Sequence, residues 1–132
     1  MAQNLRHLKK ISKNSILIID DEEIIREILI EVMQIINIPA VCAQTGEEGI
    51  DIYMNNQKRI NLILLDMVMP GMSGLETYWR LQALNPHLHI VLMSGYPDRI
   101  SPALASLPAN LEFIQKPFSV QEVISKVQRL TA

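Results

Sequence analysis

The chain has 132 residues, 48% of them apolar and 20% charged, with a formal net charge of −2. That length holds one hydrophobic core but not two, and the apolar share excludes disorder over most of the chain. The slight acidity gives no overall electrostatic reason to expect nucleic-acid binding, and a single cysteine, Cys42, excludes an internal disulfide.

In chain order, the first stretch is basic, with Arg6, Lys9, Lys10 and Lys13 ahead of the apolar run Ile16-Leu17-Ile18-Ile19. Asp20 and Asp21 cut that run short, so it is neither a signal-peptide core nor a membrane span. Residues 1–14 are expected to be a solvated arm or linker, and residues 15–132 one folded domain. The run at 16–19 reads as a strand. Ile24, Ile25, Ile28, Leu29, Val32, Met33 and Ile36 follow at three- and four-residue spacing, the pattern of an amphipathic helix. A weaker strand is expected at 39–43 and a helix at 47–56. Cys42 falls in the apolar stretch Ala40-Val41-Cys42-Ala43 and reads as a small packed hydrophobe.

Leu62-Ile63-Leu64-Leu65 is a third strand, apolar at every position. A helix over 74–84 ends at Asn85-Pro86, because a residue before proline avoids the helical region. One of Tyr78 and Trp79 on that helix is expected in the core. Strands follow at 90–93 and 111–114. Between them Pro97, Pro102 and Pro108 leave room only for short turns. The last helix, marked by Val120, Val123, Ile124, Val127 and Leu130, takes Ser119 as its N-cap. Five strands alternating with helices predict an α/β fold with a parallel sheet covered on both faces.

Polar residues fall where the strands stop. The first strand runs into Asp20 and Asp21, the third into Asp66, the fourth into Ser94, and the fifth, past Gln115, into Lys116. In an open parallel sheet these ends share one edge, and ligands bind there. Three neighbouring carboxylates need a cation between them, and their hard oxygens suit Mg²⁺. Such a site can take a phosphoryl group in line on one carboxylate, with the metal and Lys116 neutralising charge. Asp66 is the best nucleophile because the turn-forming Met69-Pro70-Gly71 follows it. Glu22 and Glu23 read as acids favoured at a helix N-terminus by its dipole. His7, His87 and His89 share no metal-ligand spacing with a carboxylate.

Four motifs in this order and spacing resemble those of response-regulator receiver domains. They are Ile18-Ile19-Asp20-Asp21-Glu22, Leu64-Leu65-Asp66 through Pro70-Gly71-Met72-Ser73-Gly74, Met93-Ser94-Gly95-Tyr96, and Lys116-Pro117-Phe118. The resemblance spans residues 15–131 and implies a doubly wound, flavodoxin-like sheet of order 2-1-3-4-5. It implies that Asp66 accepts a phosphoryl group from a phosphohistidine on a sensor histidine kinase or a histidine phosphotransfer protein. Asp20, Asp21, Asp66 and the Val68 carbonyl would hold Mg²⁺, and Ser94 and Lys116 would contact phosphoryl oxygens. Phe113 would be the switch aromatic, paired in its movement with Ser94, and the Lys116–Pro117 bond would be cis.

The resemblance further implies a cytoplasmic signalling protein, monomeric or weakly dimeric, with no direct contact to nucleic acid or membrane. It would be no enzyme beyond its own phosphorylation and hydrolysis. Its wording around Ser94 is similar to receivers of hybrid histidine kinases. The proline-rich stretch after Ser94 implies an irregular fourth helix, and apolar Val68 and Tyr96 are expected to slow hydrolysis of the phospho-form. The alternative, a Mg²⁺-dependent phosphatase or phosphotransferase using an aspartyl phosphate, usually needs a second acid where Val68 stands. A degenerate receiver used only for protein contact would not need the complete acidic set.

Overall fold

The computed structural model describes residues 11–95, 107–108 and 111–132. Its elements in order are β1 (Ser15–Ile19), α1 (Glu23–Ile35), β2 (Ala40–Ala43), α2 (Gly46–Met54), β3 (Ile60–Asp66), α3 (Gly74–Leu84), β4 (His89–Ser94), β5 (Glu112–Gln115) and α4 (Val120–Thr131). All strand pairings are parallel, and the order is β2-β1-β3-β4-β5. Tyr96, the segment expected to form an irregular fourth helix and most of the proline-rich stretch lie outside the described residues.

The sheet is buried on both faces, which is why its central strands carry no alternation of apolar and polar residues. Leu17, Ile19, Ile63, Leu65 and Leu92 point to one side, where Ile52 and Tyr53 of α2 and Tyr78 and Leu81 of α3 cover them. Ile16, Ile18, Leu62, Leu64 and Val91 point to the other, against Leu29, Val32 and Met33 of α1 and Val123 and Val127 of α4. Tyr78 is the buried member of its pair and Trp79 the exposed one, their rings meeting edge-on at 5.0 Å. Ile11, in the stretch read as the arm, is also buried against the first of these clusters.

Local sequence sets the helix ends. Thr45, Ser73 and Ser119 cap α2, α3 and α4, each hydroxyl accepting from the backbone N–H of a glutamate three residues on. At the end of α1, Asn37 takes φ 59°, and the Ile38 N–H donates back to the Met33 carbonyl at 2.9 Å. That is a Schellman closure, with asparagine in the left-handed position and Pro39 preventing continuation. Register then brings the strand ends level: Ile19 pairs with Leu65, Asp66 with Met93, and Ser94 with Gln115.

Candidate functional site

Strand order reverses direction between β1 and β3, so the crevice opens at their carboxyl ends. Asp20 follows β1 directly, Asp66 is the last residue of β3, Ser94 the last of β4, and Lys116 follows β5. The backbone ties them together. The Asp20 N–H donates to the Ala43 carbonyl at 3.1 Å, and the Lys116 N–H to the Ser94 carbonyl at 2.8 Å. Asp20, Asp66 and Ser94 are buried, whereas Asp21 is exposed.

Lys116 is the hub. Its Nζ donates to Asp20 Oδ2 at 2.9 Å and lies 3.4 Å from Asp66 Oδ1 and 3.6 Å from Glu22 Oε1. The other Asp20 oxygen, Oδ1, accepts from the Glu22 N–H at 2.9 Å. Asp66 Oδ1 accepts from the Val68 N–H at 3.2 Å, while the Val68 side chain stands out in solvent, 76% exposed. Arg26 donates from Nη1 to the Asp20 carbonyl at 2.8 Å, fixing the backbone behind the first carboxylate.

Gly74 explains how Asp66 is presented. A Cβ at Gly74 would stand 2.3 Å from the Asp66 carbonyl oxygen and 2.5 Å from the Met67 Cα. Only glycine lets the start of α3 press against the end of β3, and Gly71, at φ +76°, makes the turn between them.

The charges are unbalanced. Burial, joined by the charge of Asp20, pushes the Asp66 carboxyl up to about 6, although Lys116 and the Val68 N–H pull it back. Burial by itself would lower Lys116, but its hydrogen bond to Asp20 and the charges of Asp20 and Asp66 raise it above the ordinary lysine value. The ammonium is therefore charged and still insufficient. Asp20, Asp21 and Asp66 offer ligand oxygens within 4.8 Å of one another, a hard donor set that fits Mg²⁺.

The predicted residues Asp20, Asp21, Asp66, Val68, Ser94 and Lys116 thus share one edge. Phe113 sits inside β5, in register with Leu92 and partly buried against the cluster that holds Tyr78. The Lys116–Pro117 peptide is cis. Two participants were not evident from the sequence, Glu22 and Arg26. The available signal for Glu22 is that glutamate is a poor N-cap residue at a position where serine, threonine or aspartate would serve the helix. Cys42 has its thiol pushed up to about 11, chiefly by burial, and takes no part.

The family model for the response regulator receiver domain matches residues 16–128. Sporulation initiation phosphotransferase F of Bacillus subtilis is 30% identical over 114 residues, covering 86% of this chain and 90% of that protein. Response regulator MprA of Mycobacterium sp. (strain KMS) is 30% identical over 116 residues, 87% of this chain and 49% of the relative. The chain thus spans about half the length of the MprA proteins it matches. Among solved structures, response regulator TrrA of Thermotoga maritima in complex with Mg²⁺-BeF aligns with a TM-score of 0.74 at 31% identity, over 89% of this chain and 98% of that one. TrrA in complex with histidine kinase ThkA aligns at 0.77 and 30%, over 90% and 99%.

Proposed function

This chain belongs to the response regulator receiver domain family of two-component signalling, and from that premise we propose that Asp66 is its phosphoacceptor. The observation that carries the proposal is the position of Asp66: buried at a strand tip, beside the Lys116 ammonium it shares with Asp20, at the sheet's switch point.

With Oδ1 engaged by the Val68 N–H and facing Lys116, Oδ2 is the attacking oxygen. It forms a bond to phosphorus as the P–N bond of a phosphohistidine breaks, and the imidazole nitrogen keeps the bonding pair and takes a proton. Lys116 donates to one phosphoryl oxygen, and the Ser94 hydroxyl donates to another. Asp20, Asp21, Asp66 and the Val68 carbonyl are the ligands we assign to Mg²⁺, which when bound supplies positive charge against the crowded carboxylates and the phosphoryl oxygens. Water attack on the acyl phosphate returns the free carboxylate and inorganic phosphate.

Phosphorylation changes a single carboxylate charge to nearly two and adds acceptor oxygens. Movement of Ser94 toward them vacates space behind the end of β4, and Phe113 turns into it, shifting the population of a second surface conformation. A histidine kinase or phosphotransfer protein is the donor, in keeping with the relative solved with ThkA. Among the described residues no helix is long and apolar enough to cross a membrane. We assign a cytoplasmic location, a monomeric or weakly dimeric state, and no direct nucleic-acid contact. No external substrate is turned over, since Val68 stands where an aspartyl-phosphate hydrolase needs its second acid.

The test is incubation with acetyl phosphate and Mg²⁺ followed by intact-mass measurement. The parent gains one phosphoryl mass and Asp66→Asn gains none; a parent that stays unmodified overturns the proposal.

A further inference from the structure

Glu22 occupies the N-cap of α1, yet its side chain accepts no hydrogen bond from that helix. The N-caps of the other three described helices each do. The carboxylate instead approaches Lys116, with Oε1 3.6 Å from Nζ. Its own N–H, donating to Asp20 Oδ1 at 2.9 Å, fixes the residue's backbone against the same pocket. An ammonium has three N–H donors. In this structure three carboxylates surround it: Asp20, Asp66 and Glu22.

The three partners are not equivalent. Asp20 and Asp66 are buried, and losing Lys116 would leave each of them uncompensated. The Glu22 side chain is 56% exposed, so water replaces the ammonium there at little cost. When Lys116 turns toward a new anion at Asp66, Glu22 is the partner it releases first.

We propose that Glu22 is a positioning residue: a competing counter-ion that restrains Lys116 and weakens the site's hold on an incoming phosphoryl group. The inference rests on the reading of Asp66 as the phosphoacceptor and adds a residue that sets the threshold for its occupation. The charge of Glu22 alone does not define this role. The reach of its side chain does, because the shorter aspartate is a good N-cap and would turn to the helix instead.

The experiment is calorimetric titration of the full chain with beryllofluoride, a phosphoryl mimic, at saturating Mg²⁺. Parent, Glu22→Gln and Glu22→Asp are compared, with circular dichroism melts to establish that each is folded. An ion pair with one exposed partner is worth little, so Glu22→Gln is expected to bind the mimic roughly threefold to fivefold more tightly. Glu22→Asp, which keeps the charge, is expected to match Glu22→Gln. If Glu22→Asp matches the parent, net charge rather than pairing is responsible and the inference fails. Equal affinity in all three, or weaker binding by Glu22→Gln, also overturns it. A parent that binds no beryllofluoride overturns the phosphoacceptor reading, and this inference with it.

Discussion

Lys116 Nζ lies 3.4 Å from Asp66 Oδ1, yet the Asp66 carboxyl is held up at about 6 rather than pulled down. Burial and the neighbouring Asp20 outweigh a lysine whose closer bond, at 2.9 Å, goes to Asp20. The crowded carboxylates repel one another, and a divalent cation between them would relieve that repulsion.

That repulsion is measurable as stability. The folded carboxyl ionises near 6 against an ordinary value of 3.8, so the folded state binds the extra proton between those limits. Without metal, stability is therefore lost as pH rises from about 4 to about 6, by roughly 1–3 kcal/mol. Asp66→Asn is expected to be more stable than the parent by a similar amount, about 1–3 kcal/mol, at pH 8, and to lose that advantage at pH 4. Urea melts check both points, and added Mg²⁺ should narrow the gap at pH 8.

Lys116→Met tests the opposite member of the pair. It leaves Asp20, which is fully buried, without its ammonium partner. A buried charge stripped of its partner costs several kcal/mol, and we expect about 3 kcal/mol here, read as a lowered urea midpoint. Mg²⁺ should restore part of the loss, because it returns positive charge to the same carboxylates.

Gly74→Ala tests how α3 presents Asp66. Its new methyl would meet backbone, not a flexible side chain, at 2.3 Å. The start of α3 must shift, at a cost of about 1–3 kcal/mol. Phosphorylation by acetyl phosphate should fall more than tenfold even where the variant is fully folded, since small misplacements of a nucleophile are costly. Phosphorylation at the parent rate would show that the close approach has no part in positioning.

Val68 stands exposed beside the nucleophile, its N–H on Asp66 Oδ1 and its side chain in solvent. On our reading, an apolar group there would hinder the approach and orientation of water. Val68→Asn is expected to shorten the half-life of the phospho-form several-fold, on the order of 3–10 times, by supplying a polar group that orients the attacking water. Loss of phosphate from the purified phospho-protein, followed by mass, gives the rate. An unchanged rate would show that Val68 does not control hydrolysis.

Much of this was legible because burial and chemistry leave separate marks. The all-apolar runs at 16–19 and 62–65 announced central strands, and the acids at their ends announced the site. Boundaries were harder where polar residues sit in strands. β3 starts at Ile60 rather than at 62 because Asn61 interrupts the apolar run while its side chain donates to Asn14 at 3.0 Å. α2 starts at Gly46 rather than at 47 because Thr45 caps it, and that glycine is required by the side chain of Thr77 beside it. From sequence alone Glu22 is a helix-dipole acid, because its partner, Lys116, reaches it only through the tertiary fold. The side-chain position of Phe113 likewise depends on packing across the sheet, which no local pattern encodes.

On the proposed function the acyl phosphate forms on Asp66 itself. Borohydride reduction of the phosphorylated chain converts an aspartyl phosphate to homoserine, and peptide sequencing by mass spectrometry then locates it. Homoserine is expected at position 66 alone, dependent on Mg²⁺. Homoserine at Asp20 or Asp21, or at no position in a chain that has gained phosphoryl mass, would contradict it.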